Sequence, residues 1–319
     1  MRYGILVFAC FALAMVSCNS DDDNGGPEAI PPSLLSEVAP EDDETIREFL
    51  NTHFYNYEDF DTPPEGFDNK IIIDTIAGEN AGKEPMMESA VPITFNVSSS
   101  HLGLSAGEEN IDHTLYYIEV RQGEGNSPAY PDSTLVKYQG SLLNGTTFDE
   151  NQDFTWNDYR NIAVRGYADG IAQMRAGTSD QIVVNEDGTY QINNSGMGII
   201  IIPSGMAYFN RSPSTLISPY SILMFKIELG LYKENTDHDN DGIPSVEEDL
   251  NGNGFLGDDN TNAEEEPLGA TPRPNYQDPD DDGDGISTRN EISDDNGNII
   301  TPYPDADGDG VPDYLDPDN

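Results

Sequence analysis

LVKYQGSLLNGTTFDE, residues 135–150, and RGYADGIAQMRAG, residues 165–177, decide how the chain is read. The first alternates apolar and polar side chains through Leu135, Lys137, Tyr138, Ser141 and Leu143. It then turns at Asn144-Gly145, a pair that tolerates the positive φ a tight hairpin demands. The second sets Tyr167, Ile171 and Met174 on one face of a short helix and stops at Gly177. Outward from these, LYYIEVRQG, DQIVV, GIIIIPSGMAYF and SILMFKIELGLY alternate or run continuously apolar, with turn residues between them. A mainly strand domain is expected over residues 113–233, with one helix over 167–176.

Phe148-Asp149 and Gly166-Tyr167, at this separation and in this element order, resemble the FK506-binding (FKBP) family of peptidyl-prolyl isomerases. The resemblance implies an α+β fold, an FKBP-like antiparallel β-sheet wrapped around a short α-helix. It also implies a pocket. Phe148, Phe154 and Phe225 would line its walls, and Tyr167 would take the floor position, usually a tryptophan. Val164 would present a backbone N–H and Tyr208 a hydroxyl to substrate carbonyls. Asp149 would hold the polar edges, and Tyr138 and Ile217 complete the set.

The chemistry suits such a lining. Rotation about an X-Pro bond passes through a twisted amide over a barrier of roughly 18–20 kcal/mol. Loss of resonance makes the carbonyl ketone-like, so an aromatic pocket favours the twisted state without any cofactor. Three features depart from the family: Tyr167 itself, Phe209 where glycine is usual, and a shortened loop before Ile217. Residues 185–198 form an insert, expected to extend two strands. Two readings follow. One is an isomerase acting on proline-containing polypeptide clients. The other is a non-catalytic, calcium-binding surface lipoprotein whose pocket binds polypeptide or serves adhesion.

Charge sets the surroundings. Across 319 residues, Lys+Arg 14 against Asp+Glu 60 gives a net charge of -46, which excludes nucleic acid as a natural partner. The N-terminus has Arg2, an apolar run and Ser17 before Cys18, a secretory pattern over residues 1–17 that is short for a spanning helix. Val16-Ser17-Cys18 resembles the lipobox of bacterial lipoproteins, which implies lipidation of Cys18 and an outer-membrane anchor. The acidic run after it resembles surface-export signals, which implies exposure at the cell surface. Residues 18–40 read as an acidic, Pro/Gly-rich tether. In the N-terminal extension, 41–112, a helix is expected over 41–60 and strands over 71–76 and 91–97.

The tail, 234–319, holds 26 of the 60 acids against Arg273 and Arg289 alone. Asp237, Asp239 and Asp241 precede Gly242, with Glu248 at loop position twelve, the spacing of an EF-hand calcium loop. Asp280, Asp282, Asp284 and Glu291 repeat it around Gly285. Asp305, Asp307 and Asp309 begin a third, with Asp316 replacing the final Glu, closer to a thrombospondin type 3 repeat. Asp249-x-Asn251-x-Asn253-Gly254 is a weaker fourth. Structural Ca2+ is expected, in an irregular, rod-like or loosely packed array, since apolar residues are few.

Overall fold

The computed structural model describes residues 32–104, 107–186, 188–264 and 273–318. Cys18 and the leader fall outside them. Six strands make one antiparallel sheet in the order β3-β4-β9-β10-β5-β6. They are β3 (Ala90–Val97), β4 (Ile111–Arg121), β5 (Ser133–Leu142), β6 (Thr147–Asn157), β9 (Gly196–Ile202) and β10 (Leu223–Lys233). The expected hairpin at Asn144-Gly145 joins β5 to β6, with Gly145 at φ 83. The α+β class and the short helix are as expected. That helix, α3, is Arg165–Ile171, shorter than 167–176 because Gln173 and Met174 continue it through tight i→i−3 bonds.

The run GMGIIII is apolar at every position because both faces of β9 are covered. Ile200 and Ile202 face α3 together with Tyr167, Ile171 and Phe225. Ile199 and Ile201 face the N-terminal extension. Each fully buried isoleucine contributes roughly 1.5–3 kcal/mol of burial free energy. Gly166 and Gly170 let α3 sit this close: a Cβ at either would lie 2.4 or 2.5 Å from a methyl of Ile202 or Ile200.

The strands expected in the extension form at Ile73–Thr75 and Ala90–Val97, but its helix departs from the forecast. Helix α1 is Leu35–Thr52, followed by β1 (His53–Tyr55), α2 (Tyr57–Asp61) and β2 (Ile73–Thr75), which pairs with β1. The helix therefore begins inside the stretch that composition gives to a tether, and Leu35 and Val38 are buried. Pro40 masks this start: it reads as a breaker, yet in the second turn it removes one backbone bond that packing offsets. Ile46, Phe49 and Leu50 of α1 cover the second face of the sheet, and β3 becomes its edge strand. The insert forms a separate hairpin of β7 (Ile182–Val184) and β8 (Tyr190–Ile192), not an extension of the large sheet.

Asp42 of α1 ties this layer to the turn after β9. Its Oδ2 accepts from Ser204 N–H and Oγ–H, both at 2.7 Å. Burial pushes its carboxyl from an ordinary 3.8 up to about 6, against the lowering effect of those bonds. A raised folded-state value means stability from this group is full below pH 3.8 and is lost as pH rises through 6. Asp42→Asn removes that dependence. Between pH 4 and 7 the wild type should lose roughly 2–3 kcal/mol relative to the variant, read from denaturant midpoints. Parallel pH profiles would contradict this assignment.

Candidate functional site

A cleft of about 260 Å³ opens between α3, β5, β6 and β10, lined by Tyr138, Asp149, Trp156, Val164, Tyr167, Tyr208 and Phe225 among others. Tyr167, on the first turn of α3, is buried beneath it, 4.9 Å from the Phe225 ring and 6.0 Å from Tyr138, each edge-on. Its hydroxyl accepts from Asn157 Nδ2 at 2.9 Å, so its polar end is satisfied. Tyr138 donates to Asp149 Oδ2 at 2.8 Å. Val164 is the N-cap of α3, in extended conformation, so its N–H lies outside the helix ladder. Burial raises the Tyr208 phenol, and the Asp149 charge raises it further, so the hydroxyl stays protonated and able to donate. A larger groove of about 850 Å³ shares Trp156, Asn157 and Asp158 and adds a single further ring, Tyr232. The smaller cleft is the better pocket for an apolar ring.

Four aspartate loops follow the sheet. In the first, Asp237 Oδ1 and Oδ2 accept from the N–H groups of Asn240 and Gly242, and Asp241 Oδ1 from Ile243. Asp305 and Asp309 repeat this pattern, and so does Asp249 in the weaker fourth candidate. Gly242, Gly254, Gly285 and Gly310 take φ of +110, +72, +94 and +100, which glycine alone adopts freely. In three triads, Asp237/239/241, Asp280/282/284 and Asp305/307/309, each acid brings an oxygen within 4.8 Å of the others. Asp241, Glu248 and Asp281 form a further, fully buried group.

These carboxylates fit a hard cation. Both oxygens of Glu248 and one each of Asp239, Asp241, Asp280, Asp281, Asp282 and Glu291 are buried without a hydrogen-bond partner. Burial, then the charges of Asp239, Asp241 and Asp281, push Glu248 up to about 10. Burial and the three aspartates of the second loop push Glu291 up to about 7. Such crowding is costly unless positive charge enters. Calcium takes six to eight oxygens of this kind.

The tail is not the loose rod expected. Ile243, Ile292 and Tyr314 form a small core with Ile299, Tyr303 and Leu315 against it. It also docks beside the cleft. Arg160 donates to the His238 carbonyl at 2.8 Å while its guanidinium holds Asp158 on the cleft rim at 2.7 Å. Arg165 of α3 donates to the Asn253 carbonyl at 3.0 Å, and Phe255 stacks on His101 at 4.4 Å. Tyr130 donates to Asp249 at 3.0 Å.

Residues 125–230 match the family described as FKBP-type peptidyl-prolyl cis-trans isomerase. This segment is an FKBP-type domain. Among curated relatives, FK506-binding protein 1 of Dictyostelium discoideum is 25% identical over 118 residues, 36% of this chain and 94% of the relative. The FKBP-type 22 kDa peptidyl-prolyl cis-trans isomerase of Escherichia coli is 28% identical over 138 residues, 40% of this chain and 56% of that protein. Outer membrane protein MIP of Legionella longbeachae is 26% identical over 117 residues, 36% of this chain and 42% of that one. The chain thus spans about half the length of these two bacterial relatives. Residues 238–304 match the family described as BamM C-terminal.

Within the FKBP-type domain, Tyr138, Asp149, Val164, Tyr167, Tyr208 and Phe225 line one cleft. Phe148 stands behind them, edge-on to Phe225 at 5.7 Å. Phe154 does not line the cleft. The β5–β6 register shifts from Val136↔Thr155 to Tyr138↔Asn151, and Phe154 sits in the resulting bulge, stacked on Tyr190 of the inserted hairpin at 5.7 Å. Ile217 is buried in the main core and is absent from the lining. Trp156, Asn157 and Ile162 line the cleft instead. A lone tryptophan beside the family's aromatic strand was the one available signal for them. Phe209 holds φ +50, the conformation that favours glycine, with its ring buried edge-on to Tyr220 at 5.1 Å. In the tail, Asp316 is not gathered with Asp305, Asp307 and Asp309; its charge is felt at Asp282. The turn Asp313–Leu315 packs Tyr314 into the small core and carries Asp316 away from its own loop.

Proposed function

We propose that this chain is a peptidyl-prolyl cis-trans isomerase of the cell envelope that assists folding of exported or surface proteins. The observation that carries the reading is the ring-walled cleft with a protonated phenol at its mouth. A prolyl ring enters between Tyr138, Trp156 and Phe225, over Tyr167. The Tyr208 hydroxyl and the Val164 N–H donate to client carbonyls. The Asp149–Tyr138 bond fixes one wall, so little reorganisation accompanies the twist. An envelope setting is supported by the name of the Legionella relative and by the lipobox-like Cys18, through which a lipid would anchor the chain.

The reading extends to the tail, where structural calcium is held by the aspartate loops. Asp237, Asp239, Asp241 and Glu248 would hold one ion, Asp280, Asp282, Asp284 and Glu291 another, and Asp305, Asp307 and Asp309 a third. The ion supplies positive charge among buried acids. Catalysis itself runs on the cleft residues. Because Arg160 joins the first loop to Asp158 on the rim, chelating calcium should slow Xaa-Pro isomerisation about fivefold, the lower end of ordinary site-to-site coupling. Arg160→Ala should abolish most of that calcium dependence. A protease-coupled assay with and without chelator decides both, and a rate indifferent to chelation would break the link.

A further inference from the structure

Asp281 occupies the second position of the second aspartate loop, which the EF-hand spacing rule leaves without a ligand role. Its side chain is 1% exposed, and it points back to the first loop. There an oxygen of Asp281 lies within 4.8 Å of oxygens from Asp241 and Glu248. Asp281 Oδ2 accepts from Thr288 Oγ1 at 3.2 Å, which leaves Oδ1 without a partner. Asp241 spends Oδ1 on the Ile243 N–H and keeps Oδ2 free. Glu248 is also 1% exposed, and neither of its oxygens has a partner. Three buried acids, which together carry four unpartnered oxygens, thus each bring an oxygen to one point from two different loops. Arg289 approaches Gly242 and its charge is felt at Asp241, but it donates to the Gly297 carbonyl at 3.2 Å and makes no ion pair with these acids among the described residues.

We propose that Asp281 joins Asp241 and Glu248 in a divalent-cation centre that clasps the first aspartate loop to the second. The oxygen-only, all-carboxylate donor set selects a hard ion such as calcium over the softer transition metals. The centre deepens the calcium reading of the tail and rests on it. Its consequence differs from that of independent loops: occupation of the first loop orders the second. Thr288 carries this through the chain, because the Asp281 N–H donates to Thr288 Oγ1 at 3.1 Å at the start of α4 (Thr288–Glu291).

The test is calorimetric titration of Ca2+ into the metal-stripped full chain, comparing wild type with Asp281→Asn, Glu248→Gln, the double variant, and Asp295→Asn as an exposed charge control. Asp281→Asn should weaken one site at least tenfold, with Asp295→Asn matching the wild type. The double variant should lose less than the sum of the singles, because both remove ligands from one ion. Hydrogen exchange gives a second readout: calcium should protect 237–248 and 280–291 together in the wild type and separately in Asp281→Asn. An Asp281→Asn isotherm superposable on the wild type, or additive losses in the double variant, would overturn the clasp while leaving calcium binding intact. A wild type that takes up no calcium saturably would overturn the calcium reading and the clasp with it.

Discussion

Stripping calcium should melt the tail while leaving the six-stranded sheet folded. The apolar support of the described tail is small: a three-residue core of Ile243, Ile292 and Tyr314 with its neighbours, and Leu256 and Tyr276 buried apart from it. Against it stand buried carboxylates whose oxygens have no partners. Occupation of one site at a thousand times its dissociation constant stabilises the folded form by about 4.1 kcal/mol. Such a gain is comparable to what so small a core contributes, at roughly 1.5–3 kcal/mol per buried side chain. Two of the contacts that hold the tail to the FKBP-type domain, Arg160 to His238 and Arg165 to Asn253, end on backbone carbonyls of the loops, and a third, Tyr130 to Asp249, ends on a loop carboxylate. They hold only while those loops keep their shape. With chelator, amides of the aspartate loops should exchange about a thousandfold faster, whereas β9 and β10 stay protected. Equal protection in the tail with and without the ion would reject structural calcium.

Removing the cleft's donor and narrowing its apolar wall should cost most of the isomerase rate. Tyr208→Phe deletes the hydroxyl proposed to meet the client carbonyl, and Phe225→Leu removes the ring that touches Tyr138, Tyr167 and Phe148. Donors aimed at a changing carbonyl act in the transition state more than in the ground state, so kcat/KM falls through kcat. The pair together should lower kcat/KM at least tenfold, equivalent to about 1.4 kcal/mol of transition-state stabilisation. Leucine at 225 keeps the core filled, so a denaturation curve near that of the wild type separates lost chemistry from lost fold. Unchanged rates in the double variant would place the activity elsewhere.

The sequence carried the local parts of this site and missed the long-range ones. Asn144-Gly145 is a hairpin by its own backbone preference, and the aspartate loops follow from positions of acids and glycines a few residues apart. Tyr138, Asp149, Tyr167, Tyr208 and Phe225 came through the family's element order. What failed depended on distant partners. Phe154 left the wall because a bulge in β6 is set by its pairing with β5. Leu35 and Val38 read as tether because their burial comes from a sheet far along the chain. Asp281 drew no role from the loop spacing, because the acids it faces lie more than thirty positions earlier. The same reasoning explains Phe209: its left-handed backbone violates a local rule, and the packing of its ring on Tyr220 offsets a cost of roughly 1–2 kcal/mol.

The most direct measurement is NMR exchange between cis and trans isomers of an Xaa-Pro peptide, with the calcium-loaded chain added in catalytic amount. A cleft that binds the twisted amide predicts exchange well above the uncatalysed rate of one event per tens to hundreds of seconds. It also predicts that the acceleration collapses in Tyr208→Phe with Phe225→Leu. Exchange no faster than in peptide alone would contradict catalysis and leave the cleft as a polypeptide-binding surface.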